Sequence, residues 1–191
     1  SSSRAAFALN TQNFAVSSFT ADYYLSANKE KTSIMRVDET VVADFPDYDQ
    51  NHGIVRAIPK KYQDHTLSLN IISITNENGI AHKYSKSTEN DNQVLKIGDA
   101  DKYVHGKITY KISYTMKNVI NFQDSDELYW DVNGDQWPQI MGQVTARIHV
   151  PGNLAASLQD RQVCYSGSYG GSSQNCTISR GTETSETLIT V

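Results

Sequence analysis

The chain has 191 residues, 38% hydrophobic and 20% charged, with a formal net charge of -4 and a mean hydropathy of -0.50. That composition excludes a disordered chain, and no apolar run reaches the roughly 18 residues of a membrane-spanning helix. Acidic and basic residues are interleaved, without the basic stripe that grips a phosphate backbone, so nucleic acid is not expected as a partner.

The opening SSSRAAFALN has no basic region followed by an apolar one. A leader was either removed ahead of Ser1 or never present. From there period-two alternation recurs to the end of the chain, whereas helical periodicity is scarce. FAVSSFTADYYL puts Phe14 and Val16, then Phe19, Ala21, Tyr23 and Leu25, on same-face positions. MRVDETVVADF repeats the pattern with Met35, Val37, Val41, Ala43 and Phe45. Residues 44–64, which include Pro46 and Pro59, lack alternation and are expected to form an ordered loop or a short helical turn. In TLSLNIISITNENGIAHKY a β-branched run meets Asn78-Gly79, a hairpin signal, and resumes.

The clearest strand is VHGKITYKISYTM, in which Ile108, Tyr110, Ile112, Tyr114 and Met116 face one way and Lys107, Thr109, Lys111, Ser113 and Thr115 the other. One buried and one wet face is the signature of an antiparallel sheet. QVTARIHV repeats it with Val144, Ala146, Ile148 and Val150, and Pro151-Gly152 stops it. RQVCY, CTISR and ETLITV supply three further short strands. About ten strands without an intervening helix imply an all-β fold, an antiparallel β-sandwich, in one domain over residues 1–191.

Cys164 and Cys176 bracket YSGSYGGSSQN, a glycine-rich segment able to reverse direction. A disulfide-stapled hairpin within residues 160–191 is expected, worth about 3 kcal/mol on loop closure, and it implies an oxidising compartment.

HGIVRAIP (residues 52–59), GKITYKISYTMKNVI (residues 106–120) and DELYWDVNGDQWPQI (residues 126–140), in that order, resemble a bacterial predicted-membrane-protein family, domain of unknown function 2207. The likeness runs from about residue 35 to about residue 155. It implies an extracytoplasmic β domain at the cell surface, followed in the full protein by transmembrane helices that tether it. It brings no established activity, and neither the cysteine pair nor a metal site follows from it.

DELYWDVNGDQW holds both tryptophans and supports two exclusive readings. Asp131, Asn133 and Asp135 have the one, three, five spacing of calcium ligands, but Gln136 and Gly142 stand where an EF-hand needs Gly and Glu. Asn133-Gly134 is the preferred pair of a type I′ hairpin. Such a hairpin sets Trp130 across from Trp137 and puts Asp131 and Asp135 on opposite faces. The hairpin is the preferred reading, with no cofactor and calcium as the secondary one. The tryptophan pair then either closes one end of the core or, with Tyr129, stacks a sugar ring or peptide.

His52 and Arg56, with Asp47 and Asp49 upstream, form the other candidate set: an acid, base and cation grouping for hydrolysis. The structural reading, with Arg56 tying loop carbonyls or a buried carboxylate in a bidentate grip, is preferred over ligand contact by His52 and Arg56. No G-x-S-x-G or H-E-x-x-H occurs, and His52, His65, His82, His105 and His149 are scattered without ligand spacing. The expectation is a non-catalytic interaction or assembly domain whose partner is a protein or glycan at the cell surface. The alternative is a carbohydrate-binding module using Tyr129, Trp130 and Trp137, and a hydrolase is remote.

Overall fold

The computed structural model describes residues 12–30, 32–62, 65–120, 126–167, 170–183 and 186–190. The opening segment SSSRAAFALN lies outside the described residues. The strands are β1 (Ala15–Ala27), β2 (Ser33–Phe45), β3 (Gly53–Pro59), β4 (Lys61–Tyr62), β5 (His65–Thr66), β6 (Ser68–Thr75), β7 (Tyr84–Glu89), β8 (Asn92–Gly98), β9 (Gly106–Lys117) and β10 (Met141–Pro151). A single turn of helix, α1 (Gly152–Ala155), precedes β11 (Ser179–Glu183) and β12 (Glu186–Thr190). Without the two-residue β4 and β5, ten of these twelve strands remain, and the fold is an all-β sandwich.

One layer is a seven-stranded sheet in the order β11-β12-β10-β1-β2-β9-β6, and the other is three-stranded, β3-β8-β7. Among the described residues all strand pairings are antiparallel except one: β1 and β10 run parallel, with Asp22 beside Arg147 and Tyr24 beside His149. Alternation explains the core. In β2 every odd residue from Ser33 to Phe45 is buried, and in β9 Tyr110, Ile112, Tyr114 and Met116 are buried on one face. The phase change in β1, from Val16 to Phe19, is a β-bulge at Ser17, where the pairing steps from Val16 opposite Ala43 to Ser18 opposite Val42.

Ile54 and Ile58 of β3 and Leu95 and Ile97 of β8 close over Phe19, Val37, Val41 and Tyr110 to form one cluster. A fully buried side chain of this size stabilises the fold by about 1.5 to 3 kcal/mol. Three strands cannot cover seven. Leu128, Trp130, Val132 and Trp137, from the segment between β9 and β10, pack against the part of the cluster left open.

Several local expectations change. Residues 44–64 are not a loop throughout, because β3 lies inside them with Ile54, Arg56 and Ile58 facing the core; the buried arginine masked the alternation. Val144 is exposed in β10. RQVCY forms no strand, and CTISR enters one only at Ser179, although Cys164 and Cys176 are disulfide-bonded and, among the described residues, one bridge joins Ser166 and Ser173. Asn78-Gly79 turns the chain, but only one bridge follows, Thr75 to Ala81, and β6 pairs with β9 instead. The two-residue turn with both central residues at positive φ is at Asn90 (48°) and Asp91 (62°), between β7 and β8. Asn and Asp tolerate that conformation better than other side chains do.

The parallel seam carries its own clamp on the outer face of the large sheet. Arg147 donates to both oxygens of Asp22 at 2.7 and 2.6 Å, and His149 Nε2 lies 2.8 Å from Asp22 Oδ1. The His149 ring stacks on Tyr24 with centroids 4.2 Å apart. Asp22 also sits opposite Asp38 in the β1–β2 ladder, a like-charge pair that costs energy unless each acid is neutralised. Arg147 serves Asp22, and Arg36 serves Asp38 at 2.7 Å. Burial raises the Asp22 pKa, but the hydrogen bonds from Arg147 and His149 outweigh it and hold the carboxyl below its ordinary value. A depressed folded pKa means the clamp is fully present above the ordinary carboxylate range and is lost as pH falls through the depressed value. Asp22→Asn should therefore lower stability at neutral pH and flatten its acid-side fall, as read by denaturant melts across pH. Superimposable curves for variant and wild type would refute the clamp.

Candidate functional site

The strongest concentration of polar chemistry is inside the sandwich. Glu39 interrupts the apolar series of β2, and Arg56 interrupts that of β3; they are 1% and 2% exposed. Arg56 Nε donates to Glu39 Oε2 at 2.9 Å and Nη2 to Glu39 Oε1 at 2.7 Å, the bidentate grip that a planar guanidinium provides. The Tyr114 hydroxyl donates to Glu39 Oε1 at 2.7 Å. Arg56 Nη1 donates to Ala57 O at 2.7 Å and to Asn133 O at 2.9 Å, and the guanidinium lies 5.4 Å from the Phe19 ring centroid.

Burial drives Arg56 toward its neutral form, but the charge and hydrogen bonds of Glu39 more than compensate and raise its pKa above the usual value. The same burial, joined by the Glu39 charge, raises the Tyr23 and Tyr114 hydroxyls, so both remain protonated donors.

The segment DELYWDVNGDQW meets this network from outside. Tyr23 OH donates to Val132 O at 3.1 Å, and Trp137 Nε1 donates to Asn133 O at 2.8 Å. Asp131 Oδ1 accepts from Gly134 N at 3.1 Å. Gly134, at φ +77°, lies so close that a Cβ there would come within 3.0 Å of Arg56 Nη1. The expected hairpin does not form. No strand spans residues 126–140, and Asn133 is not at positive φ as a type I′ turn requires. The carbonyls of Val132 and Asn133 face inward to Tyr23 and Arg56, where a ladder would have turned them to a neighbouring strand.

The tryptophans are not a matched cross-strand pair. Trp130 packs edge-on against Tyr23, with centroids 6.3 Å apart, and both indoles pack partly buried on the core. Tyr129 is 50% exposed and leans on Tyr62, with centroids 5.4 Å apart. Desolvation raises the Asp131 pKa, although the residue as a whole is exposed and the Gly134 N–H opposes the shift. Asp135 Oδ1 accepts from Gln136, and Asn133 Nδ2 donates to Gly134 O. Among the described residues no three His, Cys, Asp or Glu side chains are grouped to hold a metal ion.

The second set is dispersed. His52 Nδ1 lies 2.8 Å from Lys102 O and its ring leans on Tyr103. Asp49 pairs with His105 at 3.0 Å, Asp47 is exposed, and Arg56 is committed to Glu39. Glu39 and Tyr114 are the residues that sequence reasoning missed at this centre. An acid in phase within one apolar ladder and a base in phase within another was the available signal.

A disulfide-bearing β-sandwich of a seven-stranded and a three-stranded sheet, locked by an internal ion pair, defines the class. The chain belongs to the family described as the predicted membrane protein (DUF2207) N-terminal domain, whose model matches residues 16–188. That match is wider than the resemblance at residues 35–155 and takes in the cysteine segment. No curated protein matches the chain.

Similar solved structures include native yeast LTA4 hydrolase, with a TM-score of 0.53 and 11% identity over 95% of this chain and 27% of that one. A mutant M1 zinc metallopeptidase from Deinococcus radiodurans bound to a Tyr-Ser-Ala substrate gives a TM-score of 0.50 and 9% identity over 93% of this chain and 38% of that one. The chain thus spans well under half of these proteins, and identities this low establish the fold alone.

Removing one partner of a buried pair strands the other's charge, typically at about 3 to 5 kcal/mol. Arg56→Met and Glu39→Leu should each destabilise by that order, whereas the double variant should lose clearly less than the sum. Strict additivity in chemical denaturation would show that the two side chains do not act as a pair.

Proposed function

We propose that this domain is a non-catalytic interaction or assembly domain, held on the extracytoplasmic side by a membrane anchor elsewhere in its protein. The observation that carries this reading is the Cys164–Cys176 disulfide in a family described as predicted membrane proteins. Disulfides of this kind persist outside the reducing cytoplasm. Among the described residues no helix is long and apolar enough to cross a membrane; in this reading the anchor is carried elsewhere in the protein. The most elaborate polar cluster, around Arg56, is sealed in the core and spends its donors on internal acceptors, which supports a binding role for the outer surface over chemistry at that centre.

A second reading, a glycan-binding module, draws support from Tyr129, half exposed beside Tyr62, as an aromatic surface on which a sugar ring can stack. The inward-facing tryptophans leave Tyr129 as its centre.

The compartment is tested on the full-length protein in its own cells. Acid-quenched extracts should yield Cys164 and Cys176 inaccessible to a maleimide-polyethylene glycol until reduced, and two free thiols would contradict an extracytoplasmic site. For the second reading, glycans titrated with and without calcium should perturb tyrosine or tryptophan fluorescence and lose that effect in Tyr129→Ala. A flat response in the wild type removes it.

A further inference from the structure

The chain contains two Asn-Gly pairs, Asn78-Gly79 and Asn133-Gly134, and the fold places them in opposite situations. An Asn-Gly pair carries a latent intramolecular reaction. The glycine amide nitrogen, once its proton is taken by base, attacks the asparagine Cγ. The new N–Cγ bond closes a succinimide, the Cγ–Nδ2 bond breaks, and ammonia leaves. Water then opens the ring to aspartate or isoaspartate, so no oxidant or reductant is involved. Glycine favours the reaction because no Cβ shields its nitrogen. Folded structure opposes it wherever the side chain and the amide cannot turn toward each other.

We propose that Asn78 is a site of spontaneous deamidation in the folded protein, and that the Arg56 anchor protects Asn133, the same dipeptide, from the same reaction.

Asn78 and Gly79 are both exposed, at the turn that follows β6. Nothing lies within 4 Å of the position a Gly79 Cβ would take. The side-chain amide of Asn78 has no hydrogen-bond partner among the described residues; the contacts that shape the turn come from its neighbour Asn76, whose Oδ1 accepts from Asn78 N at 3.0 Å and Ile80 N at 2.9 Å. One restraint bears on the attacking nitrogen, a 3.1 Å bond from Gly79 N to Asn76 O at the surface. Opening that bond disturbs no buried group.

At Asn133 every participant is tied down. Gly134 N donates to Asp131 Oδ1, and Asn133 Nδ2 donates to Gly134 O at 3.3 Å. The Asn133 carbonyl accepts from both Arg56 and Trp137, and Gly134 is seated against the Arg56 guanidinium. Turning the Asn133 side chain onto the Gly134 nitrogen therefore requires release of a loop held by a buried ion pair. Reaction there waits for local opening.

The test incubates the folded domain in mildly alkaline buffer and follows each site by peptide mass spectrometry with isoaspartate detection. Residue 78 should convert at least about tenfold faster than residue 133, because only the latter depends on local unfolding. In denaturant the two rates should converge. Trp137→Phe removes one donor to the Asn133 carbonyl and should speed conversion at 133 while leaving 78 unchanged. Asn78→Gln identifies the modified peptide. Equal rates in the folded protein, faster reaction at 133, or no conversion at 78 would each overturn the assignment. A rate difference that survives denaturation would assign the protection to local sequence and overturn the role of the anchor.

Discussion

The Glu39–Arg56 pair is the constraint on which the other arrangements depend. It joins the middle of the seven-stranded sheet to the three-stranded one at a point where both partners are excluded from water. Two charges in that position are costly unless nearly every donor and acceptor is engaged. Here Arg56 uses four N–H groups, two on Glu39 and one each on the Ala57 and Asn133 carbonyls, and Tyr114 donates a third hydrogen bond to the carboxylate. A hydrophobic pair of similar volume would hold the layers together without direction. The ion pair fixes which face of β3 meets β2, and it leaves Nη1 aimed at a segment from elsewhere in the chain.

That remaining donor links the core to the segment between β9 and β10. The small sheet is too narrow to cover the large one, and residues 126–140 complete the cover with side chains whose positions follow from backbone anchors. With the Val132 and Asn133 carbonyls turned inward to Tyr23 and Arg56, Trp130 and Trp137 settle on the core and Tyr129 stays outside. The division of labour among three neighbouring aromatics is thus a consequence of where two carbonyls point. The polar centre serves the scaffold, and Tyr129 is left at the surface.

Much of this architecture was legible locally. The alternation of β2 and β9 marked their buried faces, because strand geometry writes side-chain direction into every second residue; the bulge at Ser17 of β1 was not foreseen, since Val16 and Phe19 were read as one face across it. Arg56 was recognisable as a bidentate anchor from its chemistry, but its partner was not, since Glu39 looked like an interruption in the series from Met35 to Phe45. The Asn133-Gly134 pair signalled a hairpin, and a hydrogen bond from Arg56, 77 positions away in the chain, overrode it. The parallel pairing of β1 with β10 joins residues 125 apart, Asp22 and Arg147, and no short-range pattern announces such a contact. Local chemistry reports which way side chains face, and long-range pairing decides what they meet.

Hydrogen exchange through the segment at residues 128–137 tests most directly whether the buried pair organises the molecule. In Arg56→Met, at a temperature where the sheets stay folded, amides of this segment should lose protection while those of β1, β2 and β9 keep theirs. Unchanged protection at residues 128–137, in a variant shown to be folded, would contradict the claim that Arg56 holds the loop in place.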